Sequence, residues 1–551
     1  MLPERRLPML RVSQIKLHPG HTSEELEKKL LRALSVKKAD LLGWQIAKQS
    51  IDARKKPDVF FSYTVDAEVK HENQVLKRAG KQVQQIRSTN YQQPAPGSIS
   101  LTRRPVIAGS GPAGMFCAYL LARNGYRPLL LERGGCVEER IQDVEDFWKN
   151  GRLNLSSNVQ FGEGGAGTFS DGKLNTLVKD SEGRNHFVLE TFAAHGAPKS
   201  ILYEQKPHIG TDILIDVVRN MRKSILDMGG EVRFHSQVTD ILLDRDPSGE
   251  RQKIKQIIVN GQDVLDTDLL ILAVGHSARD TFEMLYDRKI PIQAKAFAVG
   301  VRIEHPQSMI SQCQYGRTDC PDLPAASYKL TAQLSNGRGA YTFCMCPGGY
   351  VVNASSEEGR LAVNGMSYHE RDGVNANSAV IVTVTPQDYG TNHPLAGVEF
   401  QRMLEQRAWK EGGGKVPVQC LKDFRENRPT TTPGEILPQI KGAWTFANVR
   451  NIFPDVLADS LEEGICAMDH KIHGFAREDS VLSGVESRTS SPVRIERDEE
   501  LESPAAVGLY PCGEGAGYAG GITSAAMDGI KTAEAVIRKY TPAFEFEFTK
   551  N

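Results

Sequence analysis

The residues with the clearest chemical potential are three glycines, Gly109, Gly111 and Gly114, in the spacing GxGxxG. The run Val106–Ala108 before them is wholly apolar, which predicts a strand buried in a parallel sheet. In such a turn the first glycine permits a tight reversal and the second lets the backbone approach a pyrophosphate. The third lets the following helix pack closely on the strand. That helix would direct its free N–H groups and its positive dipole end at the pyrophosphate.

An acidic residue completes this pattern. Glu132 directly follows the apolar run Leu129–Leu131, where a carboxylate can accept hydrogen bonds from ribose hydroxyls. A strand, a glycine turn, a helix, a second strand and an acid together predict a dinucleotide-binding βαβ unit, whereas GxGxxG alone would be weak evidence. Besides the three glycines, the residues of this unit that we expect to bind the dinucleotide are Pro112, Ala113, Glu132 and Arg133.

A second glycine-rich stretch lies near the other end of the chain, where residues 513–522 read GEGAGYAGGI between a predicted strand (507–511) and a predicted helix (523–537). This stretch resembles the C-terminal flavin motif of glutathione-reductase-like FAD enzymes. The resemblance implies that Gly513 and Glu514 bind the ribityl or pyrophosphate part of FAD, although many of those enzymes carry Asp at the position of Glu514. It also implies that the helix beginning near Gly521 and Ile522 faces the flavin pyrimidine edge, where its N-terminus would stabilise the charge of reduced flavin.

A third segment, Asp268–Arg279, resembles the strand and Ala-x-Gly turn at which the chain leaves the FAD domain in those families, and it places Gly275 at the cofactor. Three motifs in this order favour FAD over NAD. No second GxGxxG follows a strand, so we expect no separate nicotinamide-binding domain. The region where disulfide reductases of the glutathione type carry a Cys-x4-Cys pair has no cysteine here, which argues against that activity.

The segment Phe161–Leu174 contains five glycines, too many for a packed helix or strand. Its position in the resembling families implies a loop that crosses the pyrophosphate or the isoalloxazine ring. Gly165, Gly167 and Thr168 would then offer backbone N–H groups to the cofactor, and Lys173 would add positive charge near flavin N1. The alternative is a flexible surface loop.

Two histidines are candidates for proton transfer. His208 lies in the sequence KPHIGTD, before a helix that Thr211 is expected to cap, and His276 directly follows Gly275. Imidazole exchanges protons near neutral pH, which suits a general acid or base. A single histidine is more often a structural hydrogen-bonding residue, and that interpretation stays open for both.

Cys344 and Cys346 form a CxC pair that suggests redox or metal chemistry. In a regular strand the two side chains would share one face about 7 Å apart, too far for an unstrained disulfide. No second pair of cysteines or histidines has the spacing of a zinc site, so we expect no bound metal.

The chain of 551 residues is long enough for several domains. We predict an α/β protein in which an interrupted, glutathione-reductase-like Rossmann domain holds FAD. An α+β substrate domain is inserted into it, and a small α+β domain precedes it, with the β-α-β-β order of ferredoxin-like units. The predicted boundaries are 1–90 for the small domain, 91–103 for a linker, 104–285 for the first part of the FAD domain, 286–504 for the substrate domain and 505–551 for the last part of the FAD domain.

Within the substrate domain the sequence predicts strands at 297–303, 339–346, 350–354 and 379–385. It predicts a polar loop at Arg477–Leu501.

The net charge of −1 implies no bulk electrostatic partner. Residues 1–90 are basic, with 18 Lys and Arg against ten Asp and Glu. This charge makes the domain a candidate surface for binding another protein. Nucleic-acid binding is disfavoured because the domain has no aromatic motif of the kind that RNA-binding domains carry. The chain has no long apolar stretch and no signal-peptide core, and its nine cysteines are irregularly spaced. We therefore expect a cytoplasmic protein with reduced thiols and no membrane segment.

Nearly the whole chain resembles a bacterial family of uncharacterised FAD-dependent dehydrogenases, also described as NAD(P)/FAD-dependent oxidoreductases. The shared motifs are FGEGGAGTFSDGKL (161–174), KPHIGTD (206–212), GVRIEHP (300–306), CMCPGG (344–349), ESRTSSPVRI (486–495) and GEGAGYAGGI (513–522). The resemblance implies hydride transfer between a small-molecule substrate and flavin N5, with NAD(P)H among the candidate electron donors or acceptors.

Two alternatives stay open. A flavin-dependent monooxygenase is disfavoured because aromatic hydroxylases carry an Asp-Gly pair where this chain has Val274 and Gly275. The other alternative is a flavin-bearing binding or regulatory protein that acts through its basic N-terminal domain.

Overall fold

Five short parallel strands form the sheet that carries the GxGxxG motif. The computed structural model describes residues 9–86, 91–245 and 251–542. Across the sheet the strands are, in order, Leu509–Pro511, Leu270–Leu272, Val106–Ala108, Leu129–Leu131 and Glu231–Arg233. The middle strands are buried along their whole length, as expected for a sheet covered on both faces. The sheet therefore joins four distant parts of the chain, which confirms the interrupted Rossmann fold.

Two helices pack against each other beside this sheet. The fingerprint helix is Pro112–Arg123 and the C-terminal helix is Ile522–Lys539. A side chain on Gly529 would overlap the carbonyl oxygen of Ala113, so the close approach of the two helices requires glycine at this position. The packing fixes the N-terminal ends of both helices near one another.

Smaller elements surround the sheet. A strand predicted at 507–511 is broken at Gly508, where φ is +82° and a side chain would overlap the carbonyl oxygen of Asp268. The additional strands are Val238–Arg245, Gln252–Val259, Asp263–Asp266 and Ala506–Val507 in one sheet, and Ile99–Ser100 with Tyr540–Thr541 in another. The additional helices are Val137–Asn150, Arg184–Ala194, Thr211–Asp227 and Arg279–Asp287, with short 3₁₀ turns at Gly165–Gly167 and Lys199–Leu202.

A seven-stranded sheet forms the core of the region between the two parts of the Rossmann domain. Its order is Thr331–Gln333, Gly339–Cys346, Asn375–Val384, Phe297–Pro306, Val481–Glu486, Val416–Cys420 and Trp444–Phe446. Smaller sheets are formed by Val363–Met366, Tyr350–Asn353 and Ile440–Lys441, and by Ile292–Ala294 with Val493–Ile495. The helices are Gln307–Tyr315, Ala396–Glu411, Leu421–Arg425 and Asp455–Asp469, with a 3₁₀ turn at Val449–Ile452.

The prediction of a polar loop at Arg477–Leu501 is wrong. This stretch contains the strands Val481–Glu486 and Val493–Ile495, and nearly all residues from Ser480 to Val493 are buried. Its polar residues are satisfied internally, as in the ion pair between Glu486 and Arg302. The two strands contain polar residues that are buried and paired, so their hydropathy pattern resembles that of an exposed loop.

The N-terminal unit has the ferredoxin-like fold. Its strands are Met9–Leu17, Leu41–Lys55, Asp58–Val69 and Val83–Ile86, and its helices are Ser23–Leu34 and Glu72–Arg78, with a 3₁₀ turn at Lys38–Asp40. The sheet is antiparallel, in the order second, third, first, fourth strand, which is the split βαβ arrangement. A capping box between Thr22 and Glu25 begins the first helix.

The N-terminal unit is docked on the rest of the molecule. Val59 is buried in the core that includes the seven-stranded sheet, and not in the core of its own unit. Backbone hydrogen bonds link Gln49 N to the carbonyl oxygen of Tyr203 at 2.7 Å and Gln205 N to that of Gln49 at 2.8 Å. Nowhere in the described ranges does a helix have the length and apolar character needed to cross a bilayer.

Candidate functional site

A cavity of about 300 Å³ opens where the parallel strands end, a volume within the range of small-molecule sites. Ala108, Leu131 and Ala273, at or just beyond the carboxyl ends of three strands, form its floor. Open parallel sheets bind their ligands at this edge. The fold thus brings the glycine motif, the 161–174 loop, the turn at Gly275 and the C-terminal glycine stretch to one cavity.

The three motif glycines have different surroundings. A side chain on Gly109, whose φ is +99°, would overlap the carbonyl of Ala273, and one on Gly114 would overlap the carbonyl of Gly109. A side chain on Gly111 would meet only the Cα atom of Gly165, at 3.8 Å, and would otherwise project into open space. Gly111 is the N-cap of the fingerprint helix and, in the described chain, no side chain caps that helix end. Its N–H groups are therefore available to an anion in the cavity.

Glu132 lies in the cavity wall, but its carboxylate already accepts four hydrogen bonds from the protein. Oε2 accepts from the N–H and hydroxyl of Ser110 at 2.9 and 2.7 Å, and Oε1 accepts from the N–H groups of Gly134 and Gly162 at 3.0 Å. These donors match the four lone-pair sites of a carboxylate. Glu132 thus joins three turns around the cavity, and its contact with a ribose stays a proposal. Arg133, also in the wall, lies over the ring of Phe161 and pairs with Asp280 at 3.0 Å.

Arg140 holds the glycine-rich loop in place. This fully buried residue of the helix Val137–Asn150 donates hydrogen bonds of 2.7 to 3.4 Å from its guanidinium to the carbonyl oxygens of Asn158, Val159, Gly162, Glu163 and Gly165. The loop is therefore a fixed part of the cavity wall, to which Gly165 and Gly167 contribute. Sequence reasoning missed Arg140 because backbone acceptors leave no pattern of side-chain types.

The C-terminal glycine stretch lines the opposite wall with Glu514, Gly521 and Ile522. The C-terminal helix begins at Ile522 with Gly521 as its N-cap, again without a side-chain cap among the residues described. Gly513 lies behind the wall, where its N–H donates to Asp528 at 2.7 Å. Two helix N-termini therefore face one cavity, an arrangement that favours negatively charged groups.

His276 and Lys173, two residues of the cavity lining, each carry a buried polar atom without a hydrogen-bond partner among the residues described. Both line the cavity, and neither His276 Nε2 nor Lys173 Nζ, both buried, has a hydrogen-bond partner within the described part of the chain. His276 Nδ1 lies 3.6 Å from Glu514 Oε1. Lys173 Nζ lies 3.0 Å from Asp171 Oδ2 in an ion pair that lacks hydrogen-bond geometry. Buried polar groups without partners are rare and indicate an absent partner such as a ligand.

Asp171 keeps Lys173 charged. Burial alone would lower the pKa of Lys173, but the neighbouring Asp171 carboxylate outweighs burial and the pKa is raised. Burial likewise opposes ionisation of Asp171, but Lys173 and Arg371 together lower its pKa to about 2. Asp171 also accepts hydrogen bonds from Ser367 and Arg371 of the substrate region. The far end of the loop is thus fastened by a buried ionic cluster.

Four of the predicted site residues lie outside the cavity lining. Gly114 and Gly513 lie behind the two walls, and the Thr168 hydroxyl donates to the carbonyl of Glu163 at 3.3 Å.

His208 stacks on His369, with ring centroids 5.2 Å apart, and its Nε2 lies 3.0 Å from the His369 carbonyl. Burial, with the charge of Arg371, lowers the pKa of His208 to about 4. Its backbone forms an isolated bridge to Lys173.

Thr211 does not cap its helix. The helix begins at Thr211 with Gly210 as the N-cap, and the Thr211 hydroxyl donates to the carbonyl of Thr168 at 2.6 Å. This bond ties the helix to the glycine-rich loop.

The substrate region supplies the remaining wall of the cavity, which sequence reasoning did not include in the site. Its residues are Phe343, Cys344, Asn364, Glu486, Arg488 and Thr489. Behind them, fully buried Arg302 donates to Glu486, to Asn364 and to the carbonyl oxygen of Cys344. The motifs at 344–349 and 486–495 could have indicated this wall, since they supply most of its residues.

The residues present fit FAD. The cavity offers two uncapped helix N-termini for the pyrophosphate and other electron-rich parts of a dinucleotide. It also offers space next to Gly111 that a side chain at this position would occupy. Two polar atoms without hydrogen-bond partners in the described chain, His276 Nε2 and Lys173 Nζ, belong to residues that line the cavity. These features suit an anionic cofactor whose reactive part reaches the interface with a second domain.

Comparisons with known proteins agree with this arrangement. Residues 296–489 match the family described as "FAD-dependent protein, C-terminal domain-like", residues 107–162 match the "NAD(P)-binding Rossmann-like domain", and residues 9–68 match a domain of unknown function. A protein of Clostridium beijerinckii described as "Uncharacterized protein" is 49% identical over 541 residues, covering 96% of this chain and 99% of that protein.

Solved structures show only remote likeness. Glycine oxidase from Bacillus cereus is 10% identical, with a TM-score of 0.35, over 79% of this chain and 94% of that chain. CtdE in complex with FAD is 11% identical, with a TM-score of 0.30, over 78% and 81% of the two chains. Likenesses this remote bear on neither substrate nor mechanism.

The Rossmann sheet, the cavity at its edge and the matched FAD-dependent domain define an FAD-dependent oxidoreductase. The chain belongs to the same protein family as the C. beijerinckii protein, which it matches over nearly the full length of both.

Proposed function

We propose that this flavoenzyme is a dehydrogenase of a small organic molecule, in which His276 accepts the proton that leaves together with the electrons. When bound, FAD would supply the electron acceptor for hydride transfer from a substrate carbon to N5. The chain must then hold the substrate, remove a proton from the attached heteroatom and stabilise the charges that develop.

The observation that carries the proposal is the unpartnered Nε2 atom of His276. It is buried in the wall of the cavity, and no described residue accepts or donates a hydrogen bond there. The Glu514 carboxylate lies on the other side of the ring, 3.6 Å from Nδ1. Glu514 can therefore stabilise the positive charge that the ring gains when Nε2 takes a proton.

Lys173 has a different part in the proposal. Its ammonium group is kept charged by Asp171 and lies in the cavity wall. A fixed, buried positive charge stabilises negative charge that develops nearby without reorganisation of solvent. We assign to Lys173 this electrostatic role, either toward the reduced cofactor or toward an anionic group of the substrate.

His208 is the second candidate for proton transfer. Because burial lowers its pKa to about 4, its ring is neutral at neutral pH and binds a proton only weakly. Its Nε2 atom is already 3.0 Å from the carbonyl of His369, whereas Nε2 of His276 has no such partner in the described chain. We therefore place His276 first and keep His208 as the alternative.

The experiment begins with the purified holoprotein under nitrogen. Hydroxy acids, amino acids, NADH and NADPH are added singly, and the visible band of oxidised flavin is followed. A hydroxy acid or amino acid that bleaches the band serves to compare His276→Ala and His208→Ala, because these donors lose a proton as well as a hydride and NAD(P)H does not. We expect His276→Ala to retain FAD and to be reduced about 10²- to 10⁴-fold more slowly, as is typical when a general base is lost. His208→Ala should retain most of the rate.

The outcomes separate the alternatives. Loss of rate only in His208→Ala would transfer the role to His208, and full rate in both variants would refute the acid–base assignment. If NADPH is oxidised only when oxygen and an organic substrate are both present, and that substrate becomes hydroxylated, the enzyme is a monooxygenase. If no donor bleaches the flavin, while residues 9–86 retain a protein partner, a binding or regulatory role replaces the proposal.

A further inference from the structure

The strand Gly339–Cys346 is not regular where it carries its two cysteines. Between Phe343 and Cys346 its register with the neighbouring strand shifts, with the pairs Phe343–Ala379 and Cys346–Asn377 on either side of the shift. Cys344 lies within this bulge with φ of +44°, a conformation that non-glycine residues rarely adopt and that concentrates at functional sites. The separation of about 7 Å that a regular strand would impose on the side chains therefore does not apply here.

The bulge brings the two thiols together. The Cys346 thiol donates a hydrogen bond to the carbonyl oxygen of Cys344, with Sγ 3.2 Å from that oxygen, and the two thiols are close enough to interact. That carbonyl is held from the other side by Arg302, at 2.8 Å. Both cysteines are free thiols in this structure.

The pair adjoins the cofactor cavity. Cys344 lines the cavity, and Cys346 lies directly behind it and is fully buried. Lys173, whose ammonium group is buried and has no hydrogen-bond partner among the described residues, acts on both thiols with its charge. The cavity is thus lined by Lys173 and by one thiol of a pair whose second thiol lies behind the wall, and the proposed dehydrogenation does not use this pair.

The surroundings shift the pKa values of the two thiols in opposite directions. The hydrogen bond from Cys346, with the charges of Lys173 and Arg302, holds the pKa of the Cys344 thiol well below its ordinary value despite burial. Burial raises the pKa of Cys346. A thiolate next to a protonated thiol is the arrangement in which thiol–disulfide chemistry begins.

We propose that Cys344 and Cys346 form a redox-active pair that exchanges two electrons with FAD in the cavity. In the reducing direction the sulfur–sulfur bond between them breaks as the pair accepts two electrons and two protons, and the reduced cofactor gives up the same electrons and protons. In the oxidising direction the two thiols lose two electrons and two protons to oxidised FAD, and the sulfur–sulfur bond forms. The inference rests on the proposed redox function, and it adds a second electron store to the site.

The test uses the fact that one tryptic peptide carries both residues. Residues 339–360 follow Arg338, end at Arg360, contain no other Lys or Arg, and include no cysteine besides this pair. Holoprotein is oxidised with diamide, desalted under nitrogen and photoreduced with EDTA, so that electrons enter through the flavin. Samples are alkylated with iodoacetamide and the mass of peptide 339–360 is measured. Apoprotein under the same light is the control.

We expect the oxidised holoprotein to give a peptide with an internal disulfide, and illumination to convert it to the doubly alkylated form. The apoprotein peptide should stay oxidised. In Cys344→Ser and in Cys346→Ser, complete bleaching of the flavin should need about twofold fewer electrons, because one two-electron couple is lost. Cys313→Ser, which changes a thiol outside the cavity lining, should need as many electrons as the wild type.

Two results would overturn the proposal. One is a wild-type peptide that never carries the disulfide after diamide treatment, and the other is a disulfide that survives when the flavin is fully bleached. Neither depends on the folding of a variant. If light reduces both the flavin and the disulfide but no organic donor does, the dehydrogenase proposal fails while the thiol pair stands.

Discussion

At the level of single residues, the glycines of the fingerprint differ in what an added methyl group would meet. At Gly114 it would overlap the carbonyl of Gly109, whereas at Gly111 it would enter the cavity and touch only Gly165. The backbone at Gly111, with φ of −68°, suits any residue. One glycine is therefore needed for packing and the other for access of a ligand to the helix end.

These contacts predict that alanine at Gly111 weakens FAD binding, whereas alanine at Gly114 destabilises the fold. Gly111→Ala should leave the melting temperature of the apoprotein unchanged or slightly higher and weaken FAD binding about tenfold or more, since the methyl group fills the space above the helix end. Gly114→Ala should destabilise the apoprotein by about 1–3 kcal/mol through overpacking. Flavin fluorescence titration and thermal melting measure the two effects. Equal FAD affinity in Gly111→Ala and wild type would contradict the assigned role of Gly111.

At the level of elements, the glycine-rich loop owes its position to the helix Val137–Asn150. The Arg140 guanidinium satisfies five carbonyl oxygens of residues 158–165, and Gly162 provides its room, because a side chain there would lie 2.5 Å from Arg140 Cδ. Burial lowers the pKa of Arg140 to about 10, so the group stays charged at neutral pH. The loop is thus held in shape by a residue outside the cavity lining.

Arg140→Met should release this loop. Five buried carbonyl groups lose a charged donor, which costs about 3–5 kcal/mol, and FAD affinity should fall at least tenfold while the far-ultraviolet spectrum stays native. Arg152→Met is the matched control, since Arg152 follows the same helix and is largely exposed, and it should bind FAD normally. Arg140→Lys should recover only part of the affinity because lysine lacks the planar fork. Normal FAD binding by Arg140→Met would show that the loop holds its shape without the guanidinium.

At the level of the whole molecule, three units are assembled around two interfaces, one of which is the cavity. The other joins the ferredoxin-like unit to the rest of the molecule, with Val59 buried against the region of the seven-stranded sheet and Gln49 hydrogen-bonded to the backbone of Tyr203 and Gln205. Val59 is 2% exposed, whereas Leu42 of the same unit is 55% exposed. The unit is therefore attached through an apolar contact and not only through the chain that follows it.

Val59→Asp should weaken this attachment without removing FAD. Burying an unpaired carboxylate at the contact should cost about 2–4 kcal/mol, so thermal melting should begin earlier and trypsin should separate the unit from the remainder more quickly. Leu42→Asp should change stability by less than about 0.5 kcal/mol. An unchanged melting curve for Val59→Asp would mean that the unit is not held at this contact.

Local patterns were sufficient for much of this architecture. The short buried strands of the Rossmann sheet are uniformly apolar, the strands of the N-terminal unit alternate, and the glycine motifs mark their turns by spacing, so each could be predicted from neighbouring residues. Arg140, the Arg302–Glu486 pair and the strands within 477–501 could not. Their stability depends on partners far away in the sequence, and a buried polar residue looks like a surface residue until its partner is known.

The arrangement of the Rossmann sheet limits how early this domain can complete its fold during translation. The strand Leu270–Leu272 gains its outer neighbour only when Leu509–Pro511 has been synthesised, and the helix that packs on the fingerprint helix ends at Lys539. Residues 273–508 are therefore translated while the first part of the Rossmann domain still has an open sheet edge and an uncovered apolar face. The inserted region must therefore be synthesised before its host domain can close, and the complete cofactor cavity forms only near the end of translation.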